Sequence, residues 1–161
     1  ASADTTIKLW EKSDWTTYAT LEGHEDWVND LYFSQDGGKL VSGSADQKIK
    51  VWGVAKKSLL STIDGHGSDI RSVQFAPDGK SFFSAGSDSN IRIWSGESYN
   101  ETGSLDGHQS VVTSVVLLEN GNTLVSGSKD QTVRFWDLSK KKEILALGGH
   151  TRGVHTIVGP K

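Results

Sequence analysis

The chain of 161 residues has neither cysteine nor methionine. Without cysteine there is no disulfide and no thiolate metal site, and the compartment is left open. Without methionine, residue 1 is not an unprocessed start, so a processed, clipped or engineered end is expected. No apolar run approaches the ~18 residues a membrane helix needs, and no signal peptide opens the chain, so no membrane partner is expected and an intracellular setting is favoured. The formal charge of −3 argues against a general affinity for nucleic acid or anionic lipid. Calcium loops, phosphate-cradling glycine turns ahead of a helix and H-E-x-x-H are missing, so no cofactor and no metal are expected. No i, i+3, i+4 apolar stripe runs long enough for a helix.

What remains is the composition of a folded domain, 35% hydrophobic and 23% charged, carrying a strict internal repeat. Trp10, Trp52, Trp94 and Trp136 are each 42 residues apart. So are His24, His66, His108 and His150, each preceded by glycine, and so are Asp4, Asp46, Asp88 and Asp130. Three independent markers in one register, without an insertion, exclude chance.

Within each unit the apolar period is two. VNDLYF (28–33), IRSVQF (70–75) and VTSVVL (112–117) are one strand type. Turn pairs suited to positive φ follow at Asp36-Gly37, Asp78-Gly79 and Asn120-Gly121. A small-residue strand comes next (KLVSG, SFFSA, TLVSG), then a tight turn with the repeated Asp, then KIKVW, NIRIW or TVRFW. A more variable fourth strand ends at Leu21, Ile63, Leu105 or Leu147. Four short antiparallel strands per unit of about forty residues predict an all-β fold of propeller blades.

The recurring order of Gly-His, strand, Ser and Asp, then Trp resembles the WD-repeat β-propeller family over essentially the whole chain. The eponymous Trp-Asp survives at Trp136-Asp137, while Glu11, Gly53 and Ser95 take that place elsewhere. The resemblance implies a partial propeller of four-stranded antiparallel blades, in one domain over 1–161. Three blades are expected to be complete, at about 28–63, 70–105 and 112–147, with a fourth split between the termini. The chain is seven residues short of four repeats, and the shortfall falls on the second strand of the split blade. The segment GVHTIVGPK (153–161) is expected as its first strand, with Gly159 where Phe33, Phe75 and Leu117 stand in the other units. A row of blades with open edges calls for closure. A piece of a longer ring is the preferred account; two copies closing an eight-bladed ring is the alternative.

The resemblance also implies a buried hydrogen-bonded set per unit, in which Trp donates to Ser, Ser to His, and Asp anchors His. The sets are His24, Ser42, Asp46 and Trp52; His66, Ser84, Asp88 and Trp94; and His108, Ser126, Asp130 and Trp136. His150, Asp4 and Trp10 form an incomplete one. Serine, histidine and aspartate together invite a nucleophilic reading. Three copies suit a staple between blades better than an active site, because each buried polar group then has a partner.

Partner contacts in the family come from the third and fifth residues after the motif His and the residue before the motif Asp. Here these are Trp27, Asn29 and Ala45; Asp69, Arg71 and Ser87; Val111, Thr113 and Lys129; and Gly153, His155 and Ala3. An exposed Trp27 beside Arg71 has hot-spot chemistry, and the mixed charge of Asp69, Arg71 and Lys129 suits a peptide or protein partner. The expected function is therefore a non-catalytic interaction scaffold. Alternatives are a self-assembling unit, a small-ligand or glycan-binding propeller, or an enzyme using the central channel. Two minor signals carry less. Asn100-Glu101-Thr102 matches a glycosylation acceptor that chance supplies often, and Lys140, Lys141 and Lys142 read as lysines that discourage edge pairing.

Overall fold

The computed structural model describes residues 1–118 and 121–159. Its fourteen strands form four antiparallel sheets, with no helix among the described residues. The first sheet has two strands, β1 (Ile7–Trp10) and β2 (Thr17–Leu21). The second holds β3 (Val28–Phe33), β4 (Lys39–Ser44), β5 (Lys48–Gly53) and β6 (Ser58–Asp64) in chain order. The third holds β7 (Ile70–Phe75), β8 (Ser81–Gly86), β9 (Ile91–Ser95) and β10 (Glu101–Leu105). The fourth holds β11 (Val112–Leu117), β12 (Thr123–Ser128), β13 (Val133–Asp137) and β14 (Lys142–Leu147). Each four-stranded sheet is a meander, the form of a propeller blade.

The turns between first and second strands need the left-handed region, and glycine supplies it at Gly37, Gly79 and Gly121, with φ of 67–68°. Their amides close the turns onto Ser34, Ala76 and Leu118, each at 2.9 Å. Asn120, the other half of the third turn signal, lies outside the described residues. The second strands have sheet neighbours on both edges and layers on both faces, so five of the six residues of β4, β8 and β12 are buried. Small side chains are what such a strand allows. A Cβ on Gly43 would stand 2.5 Å from Cγ2 of Ile70 in the next blade.

The core is a row of three seams between sheets. Ile7, Leu9 and Leu21 meet Val28, Leu40 and Trp52. Val41, Ile49, Val51 and Ile63 meet Ile70, Val73, Phe75, Phe82 and Trp94. Phe83, Ile91, Ile93 and Leu105 meet Val112, Val115, Leu117, Leu124 and Trp136. Each large apolar side chain so buried contributes about 1.5–3 kcal/mol.

The two parts of the expected fourth blade lie at opposite ends of this row. The sheet β1–β2 packs on β3–β6. The C-terminal segment packs on the far side, with Val154 and Ile157 over Gly127 as Ile70 and Val73 lie over Gly43. It is not the strand expected there. Isolated bonds hold it, among them Val154 N to the Ser128 carbonyl (2.9 Å), the Thr113 hydroxyl to the Val154 carbonyl (2.7 Å) and Ile157 N to the Ser114 hydroxyl (3.2 Å), and no backbone ladder forms over residues 150–159. Pro160 and Lys161 fall outside the described residues.

Candidate functional site

The crossing from β2 to β3 brings Gly23-His24 over the following blade. The second strand β4 supplies Ser42, the β4–β5 turn Asp46, and β5 Trp52. Trp52 Nε1 donates to Ser42 Oγ at 2.9 Å, Ser42 Oγ lies 2.8 Å from His24 Nε2, and His24 Nδ1 lies 2.7 Å from Asp46 Oδ2. The same chain runs through Trp94, Ser84, His66 and Asp88, at 2.8, 2.7 and 2.9 Å. It runs a third time through Trp136, Ser126, His108 and Asp130, at 2.8, 2.7 and 2.7 Å.

A neutral imidazole fits these contacts, giving its Nδ1 proton to the carboxylate and accepting the serine hydroxyl at Nε2. Burial pushes His24 and His108 below the usual imidazole range, against the pull of Asp46 and Asp130. Burial works to raise Asp46, but the Glu25 amide, His24 and the Lys48 amide outweigh it and hold the carboxyl low. Asp88 is lowered against its burial by His66. Asp130 is lowered against its burial by the Thr132 hydroxyl, the Gln109 amide and His108. Ser42, Ser84 and Ser126 are each 0% exposed, so no substrate can reach their hydroxyls.

The fourth set is not assembled. Asp4 is exposed and accepts from Thr6, through its amide at 3.0 Å and its hydroxyl at 2.7 Å. Trp10 is 56% exposed, and His150 is exposed after β14, at the other end of the row.

Above the clasps lies a rim, and backbone bonds pair the residues expected there. Ala45 N donates to the Trp27 carbonyl (2.9 Å), Ser87 N to Asp69 (2.8 Å) and Lys129 N to Val111 (2.9 Å). Trp27 is 60% exposed, Arg71, Lys129 and His155 are exposed, and Asp69, Ser87 and Val111 are half-buried. Arg71 is held by Asp69 Oδ2 at 2.7 Å and Ser87 Oγ at 3.3 Å. The register of each first strand slips at Asn29, Arg71 and Thr113, where β-bulges re-aim the side chain. Two of these three turn towards the protein. Asn29 donates to the Ile70 carbonyl (2.8 Å), and the Thr113 hydroxyl reaches the Val154 carbonyl (2.7 Å). Their donors link blades.

A second row of links escaped the sequence reading. Asp30 Oδ2 accepts from Ser72 Oγ and Val73 N, Ser72 Oγ accepts from Val115 N, and Ser114 Oγ accepts from Ile157 N. The residues repeat every 42, but their identities differ, so only the spacing could have marked them. These first strands, with the C-terminal segment, line an open groove of about 720 Å³. Among the described residues, no group of three His, Cys, Asp or Glu is placed to hold a metal ion.

Comparison with known proteins agrees with this geometry. The family described as WD domain, G-beta repeat matches residues 15–53, 57–95 and 99–137. Each match begins on or just before the outer strand of one sheet and ends at the third strand of the next, so it spans one clasp. A stretch of 43 residues is 44% identical to the nuclear distribution protein PAC1 of Coccidioides posadasii (strain C735). It covers 27% of this chain and 9% of that protein.

Proposed function

Because the chain belongs to the WD-repeat family, whose members serve in general as protein-interaction scaffolds and are generally non-catalytic, we propose that it binds a peptide or protein partner on the rim that carries the Gly-His and Asp turns. The observation that carries this reading is Trp27. It holds a large apolar side chain 60% exposed, at a position whose backbone is tied to Ala45. An exposed aromatic on a fixed backbone loses little entropy on contact. The pinned Arg71 guanidinium and the Lys129 ammonium add charge on neighbouring blades, where they meet carboxylates or carbonyls of a partner. Asn29 and Thr113 hold the blades in register, and Trp27, Asp69, Arg71, Ser87, Val111, Lys129 and His155 are left for contact. The clasps set the spacing of these positions and take no part in chemistry.

The test is a displayed peptide library selected on the wild-type chain, with binders titrated against W27A, R71E and K80E. Lys80 is exposed in the β7–β8 turn, at the opposite end of the strands from Arg71. W27A and R71E are expected to weaken binding at least about tenfold with unchanged melting, and K80E to leave it unchanged. Binders indifferent to W27A and R71E would contradict the assignment to this rim.

A further inference from the structure

We propose that the outer edge of the blade β3–β6 binds an extended acidic segment of a partner protein, which adds as a further strand beside β6 and sets a carboxylate on Lys50. The repeat supplies the comparison. The third strand of each full blade carries a cation at the same register, Lys50, Arg92 and Arg134. Arg92 is neutralised by Glu101 at 2.8 Å and Arg134 by Glu143, each from the outer strand of its own blade. Glu101 lies opposite Trp94 and Glu143 opposite Trp136. Opposite Trp52 the residue is Leu59. Lys50 is 6% exposed, and its Nζ donates to the Thr62 hydroxyl at 2.9 Å, but among the described residues it has no ion pair. A buried charge without a counter-charge is costly, and a carboxylate that meets it is favoured.

The approach to Lys50 is from the outer side. Thr62 is exposed, and Leu59 and Leu60 are 43 and 41% exposed within β6. In its sheet β6 has β5 as neighbour on one side alone, so its other edge offers backbone donors and acceptors to an added strand. Of the charges along this edge, Lys48 and Asp64 pair with each other at 2.7 Å, and Lys57 is engaged by the Tyr18 carbonyl and ring. Lys50 and Lys56, which is exposed just ahead of β6, are left over, so the free charge is positive. An extended segment with alternating apolar and acidic residues answers each feature. Its backbone pairs with the edge, its apolar side chains cover Leu59 and Leu60, and its Asp or Glu meets Lys50 and Lys56. The edge lies apart from the rim of Trp27, so this inference stands or falls separately from the partner-binding proposal.

The experiment is a displayed peptide library selected on the double variant W27A, R71E, which disables the rim. Recovered peptides are then titrated by fluorescence anisotropy against wild type, L59E and K50Q. L59E returns the carboxylate that the other two blades have at this position. The side chain there is exposed, so the thermal melt should not fall. Binders are expected to carry Asp or Glu among apolar residues and to bind L59E at least about tenfold more weakly than wild type. Replacing the acidic residue of a binder by its amide should cost about tenfold on wild type and nothing on K50Q, because the two changes remove one contact. L59E keeps the test decisive where K50Q fails to fold. A selection that yields no binder would overturn the proposal. So would binders without an acidic residue, binders indifferent to L59E, or an amide analogue that loses as much on a folded K50Q as on wild type.

Discussion

Asp30 accepts a hydrogen bond from the hydroxyl of Ser72 at 3.0 Å, across the seam between the first two full blades. The carboxyl is largely withdrawn from water, and burial raises it above its ordinary range, with the Val73 amide, the Ser72 hydroxyl and the Leu31 amide pulling back. A carboxyl raised in the folded chain holds its proton where the unfolded chain has lost it. Its contribution is complete below about 3.8 and fades as pH rises through the folded value. The stability of wild type relative to D30N is therefore highest near pH 4 and declines towards pH 7. Urea unfolding at the two pH values checks this, and a pH-independent difference would contradict it.

The clasp histidines have the opposite sign. His24 and His108 are lowered in the folded chain, so below about 6.5 the unfolded chain binds protons that the folded one refuses. Their contribution is complete above that value and is lost as pH falls. The lowered carboxyls of Asp46 and Asp88 add a further loss as pH falls through 3.8 and below. H108A removes one clasp, leaves Ser126 and Asp130 short of a partner, and is expected to cost about 2–4 kcal/mol at pH 7. Its denaturation midpoint should fall less between pH 7 and pH 5 than that of wild type.

Ser84 is the middle of its clasp, taking the Trp94 indole proton and facing His66 Nε2. S84A strands both groups and is expected to cost about 2–3 kcal/mol. W94F removes the indole donor together with part of the packing. Because the two residues share one bond, the double variant should cost less than the sum of the singles, by about 0.5–2 kcal/mol in a double-mutant cycle of urea melts. Strict additivity would show that the bond carries nothing.

Gly43 permits the close approach of the blades. G43A places a methyl 2.5 Å from Ile70 Cγ2 and 2.9 Å from Val73 Cγ1. The overpacked seam is expected to cost about 1–3 kcal/mol, read from the shift of the thermal midpoint. A neutral outcome would mean that the seam yields freely.

Much of this was legible because the repeat preserves residue types where the physics is strict. Trp94, Ser84, His66 and Asp88 must each keep one donor or acceptor in one place, so a spacing of 42 in identical letters exposes them. The blade pattern was legible for the same reason, through alternating strands and the turn at Gly79. The Asp30–Ser72–Val115 row was not, because a backbone amide serves as donor and either a carboxylate or a hydroxyl serves as acceptor. Asn29 and Thr113 were expected on the rim by position. Their inward donation to carbonyls depends on a bulge that no residue type announces. The outer turns hide another regularity. Trp15, Lys57, Tyr99 and Lys141 are 42 apart and all have positive φ of 51–61°. Tryptophan, lysine and tyrosine side chains share one strained backbone at these four positions, and only coordinates reveal it. Two of them reach back to the preceding sheet. Lys57 lies 3.8 Å over the Tyr18 ring and donates to its carbonyl, and Lys141 donates to the Thr102 carbonyl.

The Lys57–Tyr18 contact yields one more expectation. K57A removes a cation over an aromatic ring and a hydrogen bond at an exposed site, and should cost about 0.5–1.5 kcal/mol. Y18L should remove the ring component alone and cost less. Equal losses for the two, measured by urea unfolding, would assign the whole effect to the ring contact and none to the hydrogen bond.

The claim beneath all of these is that three buried indoles are donors in hydrogen-bonded staples between sheets. Hydrogen exchange of the indole N–H groups, followed by NMR, tests it directly. Trp52, Trp94 and Trp136 should exchange only with opening of the fold, orders of magnitude more slowly than Trp15 and Trp27, which are 73% and 60% exposed. Indole protons of Trp52, Trp94 and Trp136 that exchange as fast as those of Trp15 and Trp27 would contradict it.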